Sequence, residues 1–539
     1  MRKFTVLPFV SVLLAMPPCL FPVTAAEQVQ IAVNQPGPVV NKDIFGQFVE
    51  HIGEGVYGGL WVGKDSAIPN TNGLRNDVVR ALKQLHVPVL RWPGGCFADQ
   101  YHWREGIGPQ ASRVSRNNAW GNVIEPNQFG SDEFMELAEQ IGSEAYLTVN
   151  VGSGTVKEAA DWLEYLTSYN ATSLASLRAE NGHPEPYRVK YIGFGNEAWG
   201  CGGAMSASEY FAKLKPFSVF ALNHNPEQRF SGIDLLFDHG ASNPDAMVRV
   251  AAGPNDGDTA FTESLMQSWA SAPGYLPVFD AMSLHHYTMS RGPMSDSSVN
   301  FGQAEYVRFV SMAMEMEDVL NQHIDVMDKY DPEKRVSLVV DEWGNWLKPD
   351  ISENPMFLKQ QNSLRDAITA GLTLNTFMRH ADRVKMANIA QMVNVIQSMI
   401  LTKDDEMVLT PTYHLYKMYV PFQNSTLLPS TFQAETITVN DETLPQFDVV
   451  TARNKDGQLW MALINIDPVN AVDIEPLAEA ESYREATGSV LTAPKVNTVN
   501  DFDKPDAVLA KPVAFKRDQN GRMIITLPPK SITVVMLEN

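Results

Sequence analysis

Two glutamates carry the clearest chemical signal in this chain: Glu197 in YIGFGNEAW and Glu342 in SLVVDEWGNW. Each follows an apolar run long enough for a buried strand, and each has a tryptophan, Trp199 or Trp343, within two residues. A pair of carboxyl groups beside aromatic surface suits cleavage of a glycosidic bond. One group protonates the departing oxygen, and the other attacks the anomeric carbon or activates water. Taken singly, either acid could sit in a helix first turn, where a carboxylate is favoured by the backbone dipoles. Two acids in the same strand-end setting, each with an aromatic and a polar neighbour, point to chemistry instead.

Acids this far apart in sequence meet only if the fold gathers strand ends. Between about residues 45 and 404, apolar runs alternate with helix-spaced segments, the pattern of parallel strands joined by crossover helices. Eight strands are predicted, at 44–52, 87–95, 145–152, 189–197, 246–254, 279–287, 336–343 and 385–393. Val78, Val79, Leu82 and Leu85 share one helical face, as do Ala159, Leu163 and Leu166. Eight such units predict an α/β fold, a (β/α)8 TIM barrel over 45–404, with an open doubly wound sheet as the alternative topology. In a barrel, loops at the strand C-termini hold the active site, and Glu197 and Glu342 would end strands four and seven.

After residue 404 the runs become short and alternating, as in FDVVTARN and LWMALINI, with turns such as NKDGQ and DQNGR. This predicts a second, all-β domain over 405–539. The alternation of QVQIAVNQPG predicts that 27–44 adds a strand to it.

Of the 539 residues, 44% are hydrophobic and 19% charged, as expected for a folded protein with a large core. A formal charge of -21 is a poor match to nucleic acid or to an anionic membrane, and fits a neutral substrate better. Residues 1–26 read as a secretory leader: Arg2 and Lys3 precede an apolar stretch that ends in small residues at Thr24, Ala25 and Ala26. A membrane anchor is the competing reading, weakened by Pro17, Pro18 and Pro22. The leader predicts a secreted or periplasmic protein. Beyond Cys19, only Cys96 and Cys201 remain, too few for a disulfide-built fold, and their pairing is open.

As a set, GQFVEHIG, LRWPGGCFADQYHWREGIGP, GNEAWGCGG, the H-x-Y of SLHHYT, DEWGNW and ANIAQMVN resemble the α-L-arabinofuranosidases of glycoside hydrolase family 51. The closing TLPPKSITVVML resembles the last strands of that family's β-sandwich, which is jelly-roll-like. The resemblance implies a retaining hydrolase with no cofactor and no metal, acting on arabinofuranosyl-containing oligo- or polysaccharides and often oligomeric. Glu197 would be the acid/base and Glu342 the nucleophile, with environments that push their pKa values apart. Asn196 would bind the sugar 2-hydroxyl and Tyr287 would orient the nucleophile. Glu50 and Gln391 would grip the furanose hydroxyls, Cys96 would line the same subsite as a free thiol, and Trp346 and Trp120 would stack on the sugar. Other readings are a β-xylosidase or endo-β-glucanase using the same carboxylates, or a noncatalytic carbohydrate-binding protein.

Two further signals are set aside. GEGVYG, 53–58, fits a dinucleotide fingerprint but no helix follows to receive a pyrophosphate, so a loop at the barrel mouth is expected. His285 and His286 are adjacent on a strand and point to opposite faces, so both cannot bind one metal; His285 is expected to support the carboxylates.

Overall fold

The computed structural model describes residues 26–228, 243–272, 278–478 and 483–538. Eight parallel strands close into a barrel: β1 Gly46–Phe48, β2 Val89–Trp92, β3 Glu144–Val149, β4 Tyr191–Phe194, β5 Val248–Ala251, β6 Ala281–Thr288, β7 Ser337–Asn345 and β8 Val384–Ile389. Each pairs with its sequence neighbours, and β8 closes on β1 through Asn388 opposite Gly46. All eight expected strands are present, and closure rules out the open sheet. Side chains fill the interior, among them Val89, Tyr146, Tyr191, Val250, Ala281, Val339 and Met386. A barrel of this size is a packed core, so a ligand must enter at its mouth.

The helices form for local reasons. In α1, Asn76–Gln84, the apolar stripe of Val78, Val79, Ala81 and Leu82 is buried. Further round the barrel, Thr155 accepts a hydrogen bond from the Glu158 N–H and starts α2, Val156–Thr167, which buries Ala159, Trp162, Leu163 and Leu166. Helix α3, Leu364–Arg379, is buried over nearly its whole length because it is wedged between barrel and β-domain. Its polar residues are satisfied there: Asn375 donates to Asp448 at 2.7 Å, and Tyr419 donates to Asn375 at 3.0 Å.

The β-domain stacks two sheets. One runs Ser430–Phe432, Glu27–Ile31, Val472–Ala478, Met523–Leu527, Phe515–Arg517; the other has six strands centred on Leu459–Asn465 and Ser531–Glu538. The N-terminal strand Glu27–Ile31 lies parallel to Val472–Ala478 and antiparallel to Ser430–Phe432. Val29, Phe447, Met461, Ile474, Ile525 and Val535 form its core. One part of 405–539 departs from an all-β reading: α4, Pro411–Tyr419, is a helix that packs on α3 and completes the barrel's outer ring. Thr410 caps it and Pro411 opens it, a short start signal easily lost among flanking alternating runs.

Candidate active site

Glu342 lies inside β7, not at its end, and a break in the ladder between Val340 and Trp343 changes what that strand presents. In a regular strand neighbouring side chains point to opposite faces; an irregular register re-aims them. Here Asp341 and Glu342 both reach Arg91 and His285. On β6, His285 pairs across the ladder with Glu342, and Tyr287, two residues on, shares its face. Tyr287 donates to Glu342 at 2.9 Å. Glu197 lies three residues past β4, with its backbone in the left-handed region at φ 41°.

The two glutamates meet at one imidazole. His285 Nδ1 is 3.0 Å from Glu197 Oε1 and 3.5 Å from Glu342 Oε2, and an oxygen of each carboxylate lies within 4.8 Å of the other. That spacing belongs with the close carboxyl pairs of retaining glycosidases, about 5 to 5.5 Å apart, and leaves no room for the water an inverting pair encloses. His285 Nε2 contacts Asp341 at 3.1 Å. Burial disfavours the charged ring, but the charges and hydrogen bonds of Glu342, Asp341 and Glu197 outweigh it and push the His285 pKa up to about 10. His285 is therefore an imidazolium at neutral pH, donating from both nitrogens.

Arg91, wholly buried on β2, ties the same groups together. It donates to Glu342 at 2.8 Å and to Asn196 at 2.6 Å, lies 3.4 Å from Asp341, and covers the Phe48 ring at 4.4 Å. Burial works against ionised Asp341, but Arg91 and His285 hold its pKa below the usual carboxylate range. Asp99 fixes the Glu197 loop by accepting from the N–H groups of Asn196, Val151 and Gly152 at 2.7 to 2.9 Å. The backbone at Gly95 passes so close that a Cβ there would lie 2.6 Å from Glu342 Oε1.

Glu50 and Gln391 follow β1 and β8 and meet: Gln391 donates to Glu50 at 2.7 Å. The Phe97 N–H donates to Glu50 at 3.1 Å and Trp120 at 3.3 Å. Burial, reinforced by the Glu342 charge, pushes the Glu50 pKa up to about 7. Trp120 reaches it from a hairpin, Arg116–Asn118 with Val123–Glu125, held by a Glu125 contact to His51 at 2.9 Å. Trp346 packs edge-on against Tyr287, ring centres 4.9 Å apart, and its buried indole N–H has no partner. All nine residues singled out in the sequence thus lie around the C-terminal mouth of the barrel.

The free thiol expected at Cys96 is corrected: Cys96 and Cys201 form a disulfide, with Cα atoms 5.5 Å apart. Cys96 follows β2 and Cys201 belongs to the turn after Glu197, which folds back toward the end of β2 and brings together residues 105 apart in sequence. Sequence reasoning missed Arg91, Asp341 and Asp99. Arg91 left a signal: an arginine inside an apolar strand must find buried partners. His286, by contrast, turns away to Asp256 at 2.7 Å.

A closed (β/α)8 barrel with two carboxylates gathered at its mouth defines the class of a retaining glycoside hydrolase. Two family models match the chain: the α-L-arabinofuranosidase 1 domain over 81–255 and the α-L-arabinofuranosidase C-terminal domain over 341–531. An intracellular exo-α-L-arabinofuranosidase of Bacteroides ovatus is 43% identical over 95% of both chains. The crystal structure of the family 51 arabinofuranosidase from Xanthomonas axonopodis pv. citri is 41% identical with TM-score 0.88, covering 95% of this chain and 100% of that one. The Thermotoga maritima α-L-arabinofuranosidase in its arabinose complex is 29% identical with TM-score 0.79 over the same shares. The chain belongs to the α-L-arabinofuranosidases of glycoside hydrolase family 51, retaining enzymes that release arabinofuranosyl residues.

The same comparison overturns the expected location. The Bacteroides ovatus relative, matched along nearly its whole length, is an intracellular enzyme, so the secreted or periplasmic assignment is withdrawn. The leader reading rested on residues 1–26, of which 1–25 lie outside the described residues. A short apolar run after two basic residues has the composition of a leader, but composition alone does not determine export.

Proposed function

We propose that Glu342 is the nucleophile and Glu197 the acid/base in removal of terminal α-L-arabinofuranosyl units from plant arabinan or arabinoxylan and their oligosaccharides. The observation carrying this reading is the convergence of both carboxylates on His285 with oxygens within 4.8 Å. Glu342, held by Arg91 and Tyr287, attacks the anomeric carbon while the leaving oxygen takes a proton from Glu197. His285 occupies Glu197 Oε1, so the transferable proton sits on Oε2. In the second step Glu197 takes a proton from water, which attacks the same carbon and frees Glu342. Two inversions return arabinose with its configuration retained.

The remaining residues position the sugar. Arg91 fixes Asn196 Oδ1, and the Asn196 amide, which donates one N–H to Cys201 Sγ at 3.7 Å, offers its other N–H to the 2-hydroxyl. Glu50, Gln391 and Trp120 supply polar contacts for the furanose hydroxyls, and Trp346, packed on Tyr287, offers ring surface to the sugar. The Cys96 half of the disulfide packs against sugar carbons. Azide rescue tests the assignment: Glu197→Ala supplied with azide should yield an arabinofuranosyl azide of retained configuration. Full activity of Glu197→Ala on unactivated arabinosides, or an azide of inverted configuration, refutes it.

A further inference from the structure

We propose that the Cys96–Cys201 disulfide closes a soft-metal site: once reduced, the two thiolates and Glu197 Oε2 bind a thiophilic divalent cation such as Zn2+ or Cd2+. The metal site stands on geometry, and its effect on turnover rests on the acid/base reading of Glu197. The two sulfurs lie 4.0 and 3.5 Å from Glu197 Oε2, and the three side chains each offer a ligand atom within 4.8 Å of the others. Metal–sulfur bonds of about 2.3 Å and metal–oxygen bonds of about 2.1 Å at a tetrahedral angle place sulfur and oxygen roughly 3.6 Å apart. The observed sulfur–oxygen separations bracket that value, and reduction frees the two sulfurs to part to the roughly 3.8 Å that one ion requires.

The backbone keeps the ligands in place without the disulfide. The Gly200 and Gly202 N–H groups bond to the Glu197 carbonyl at 2.7 and 3.1 Å, and Met205 bonds to Ala198 at 2.7 Å, so Cys201 stays in a tight turn beside Glu197. Cys96 opens a short 3-10 turn, Cys96–Gln100, next to Gly95. Cys201 is exposed and Cys96 is half-buried, so a small dithiol reaches the Cys201 sulfur first.

The redox step balances with a dithiol reductant. Its thiolate attacks Cys201 Sγ, forming a mixed disulfide and releasing the Cys96 thiolate. The reductant's second thiol then attacks its own sulfur in the mixed disulfide, frees the Cys201 thiolate and leaves as a cyclic disulfide. Two electrons pass from dithiol to protein, and the dithiol's two protons go to solvent. A cation then bound to both thiolates takes Oε2, the oxygen that must carry the acid proton, because His285 holds Oε1. The reduced, metal-loaded enzyme is switched off.

The test uses the full chain with Cys19→Ser, so that only the two site cysteines remain. Oxidised protein and protein reduced with dithiothreitol and desalted without oxygen are titrated with Cd2+. The ultraviolet thiolate-to-cadmium band and turnover of an aryl arabinofuranoside are followed together. Reduced enzyme should show a band saturating at one Cd2+ per chain, with turnover falling by about a hundredfold or more and restored by EDTA. Oxidised enzyme should show neither. Cys201→Ser, and separately wild type alkylated after reduction, should lose the band. No band in reduced enzyme, or an equal band in both controls, overturns the metal site. A stoichiometric band with unchanged turnover overturns the switch. Azide rescue, which uses no metal, judges Glu197 separately.

Discussion

Replacing His285 with glutamine should remove a specific alkaline weakness of the fold. The ring bridges Glu197, Glu342 and Asp341 at 3.0, 3.5 and 3.1 Å, and its pKa stands at about 10. The unfolded value is about 6.5. Between those pH values the folded protein holds a proton that the unfolded chain has released. The stabilisation is therefore complete below about pH 6.5 and is lost as pH rises through about 10. The slope approaches about 1.4 kcal/mol per pH unit where both conditions hold, and the full shift is worth on the order of 5 kcal/mol. Urea unfolding at intervals from neutral pH upward, for wild type and His285→Gln, isolates this contribution, because lysine and tyrosine titrations common to both cancel in the difference. Over two pH units above neutrality, wild type should lose roughly 2 to 3 kcal/mol more than the variant. Parallel curves would mean that His285 is not an imidazolium in the folded enzyme, and the charge assignment would fail.

Two further outcomes follow from the same geometry. Tyr287→Phe removes a 2.9 Å hydrogen bond to an ionised Glu342, worth about 1.5 to 3 kcal/mol, so kcat and kcat/KM should both fall by roughly ten- to a hundredfold. A change in KM alone, measured on an aryl arabinofuranoside, would show that the hydroxyl serves binding and not the nucleophile. Glu50 titrates near pH 7 because it is buried beside Glu342, and its ionised form is the better acceptor for sugar hydroxyls. KM should therefore decrease as pH rises through about 7 in wild type and stay flat in Glu50→Gln; identical pH profiles would sink the assignment.

The barrel was legible because its evidence is periodic. Eight apolar runs separated by helical stripes leave few alternatives, and residues at strand ends inherit a common location from that topology. Glu197 and Glu342 were found by that route, whereas Tyr287, Glu50 and Gln391 came from the family resemblance. What escaped depended on spatial meetings with no local signature. Asp341 gained its place only through the broken register of β7, since in a regular strand it would face away from Glu342. Pairing of Cys96 with Cys201 needed the turn after Glu197 to fold back toward the end of β2. Asp99 acts by receiving backbone N–H groups from two other loops, a role no side-chain pattern announces. Trp120 was named from the family resemblance while its hairpin was not read, because that hairpin is held by a distant contact between His51 and Glu125.

The buried charges at this mouth explain why one histidine must touch both glutamates. Arg91 and His285 bring positive charge against Asp341 in a place where an unpaired ion is expensive. In the proposed double displacement, attack turns Glu342 into an uncharged ester while Glu197 gives up its proton. The negative charge thereby moves between two carboxylates with oxygens within 4.8 Å of each other. A cation bonded to one of them alone would stabilise one half of the cycle at the expense of the other. His285 Nδ1, 3.0 Å from Glu197 and 3.5 Å from Glu342, faces the negative charge in both states, and Asp341 on its far nitrogen keeps the ring charged throughout.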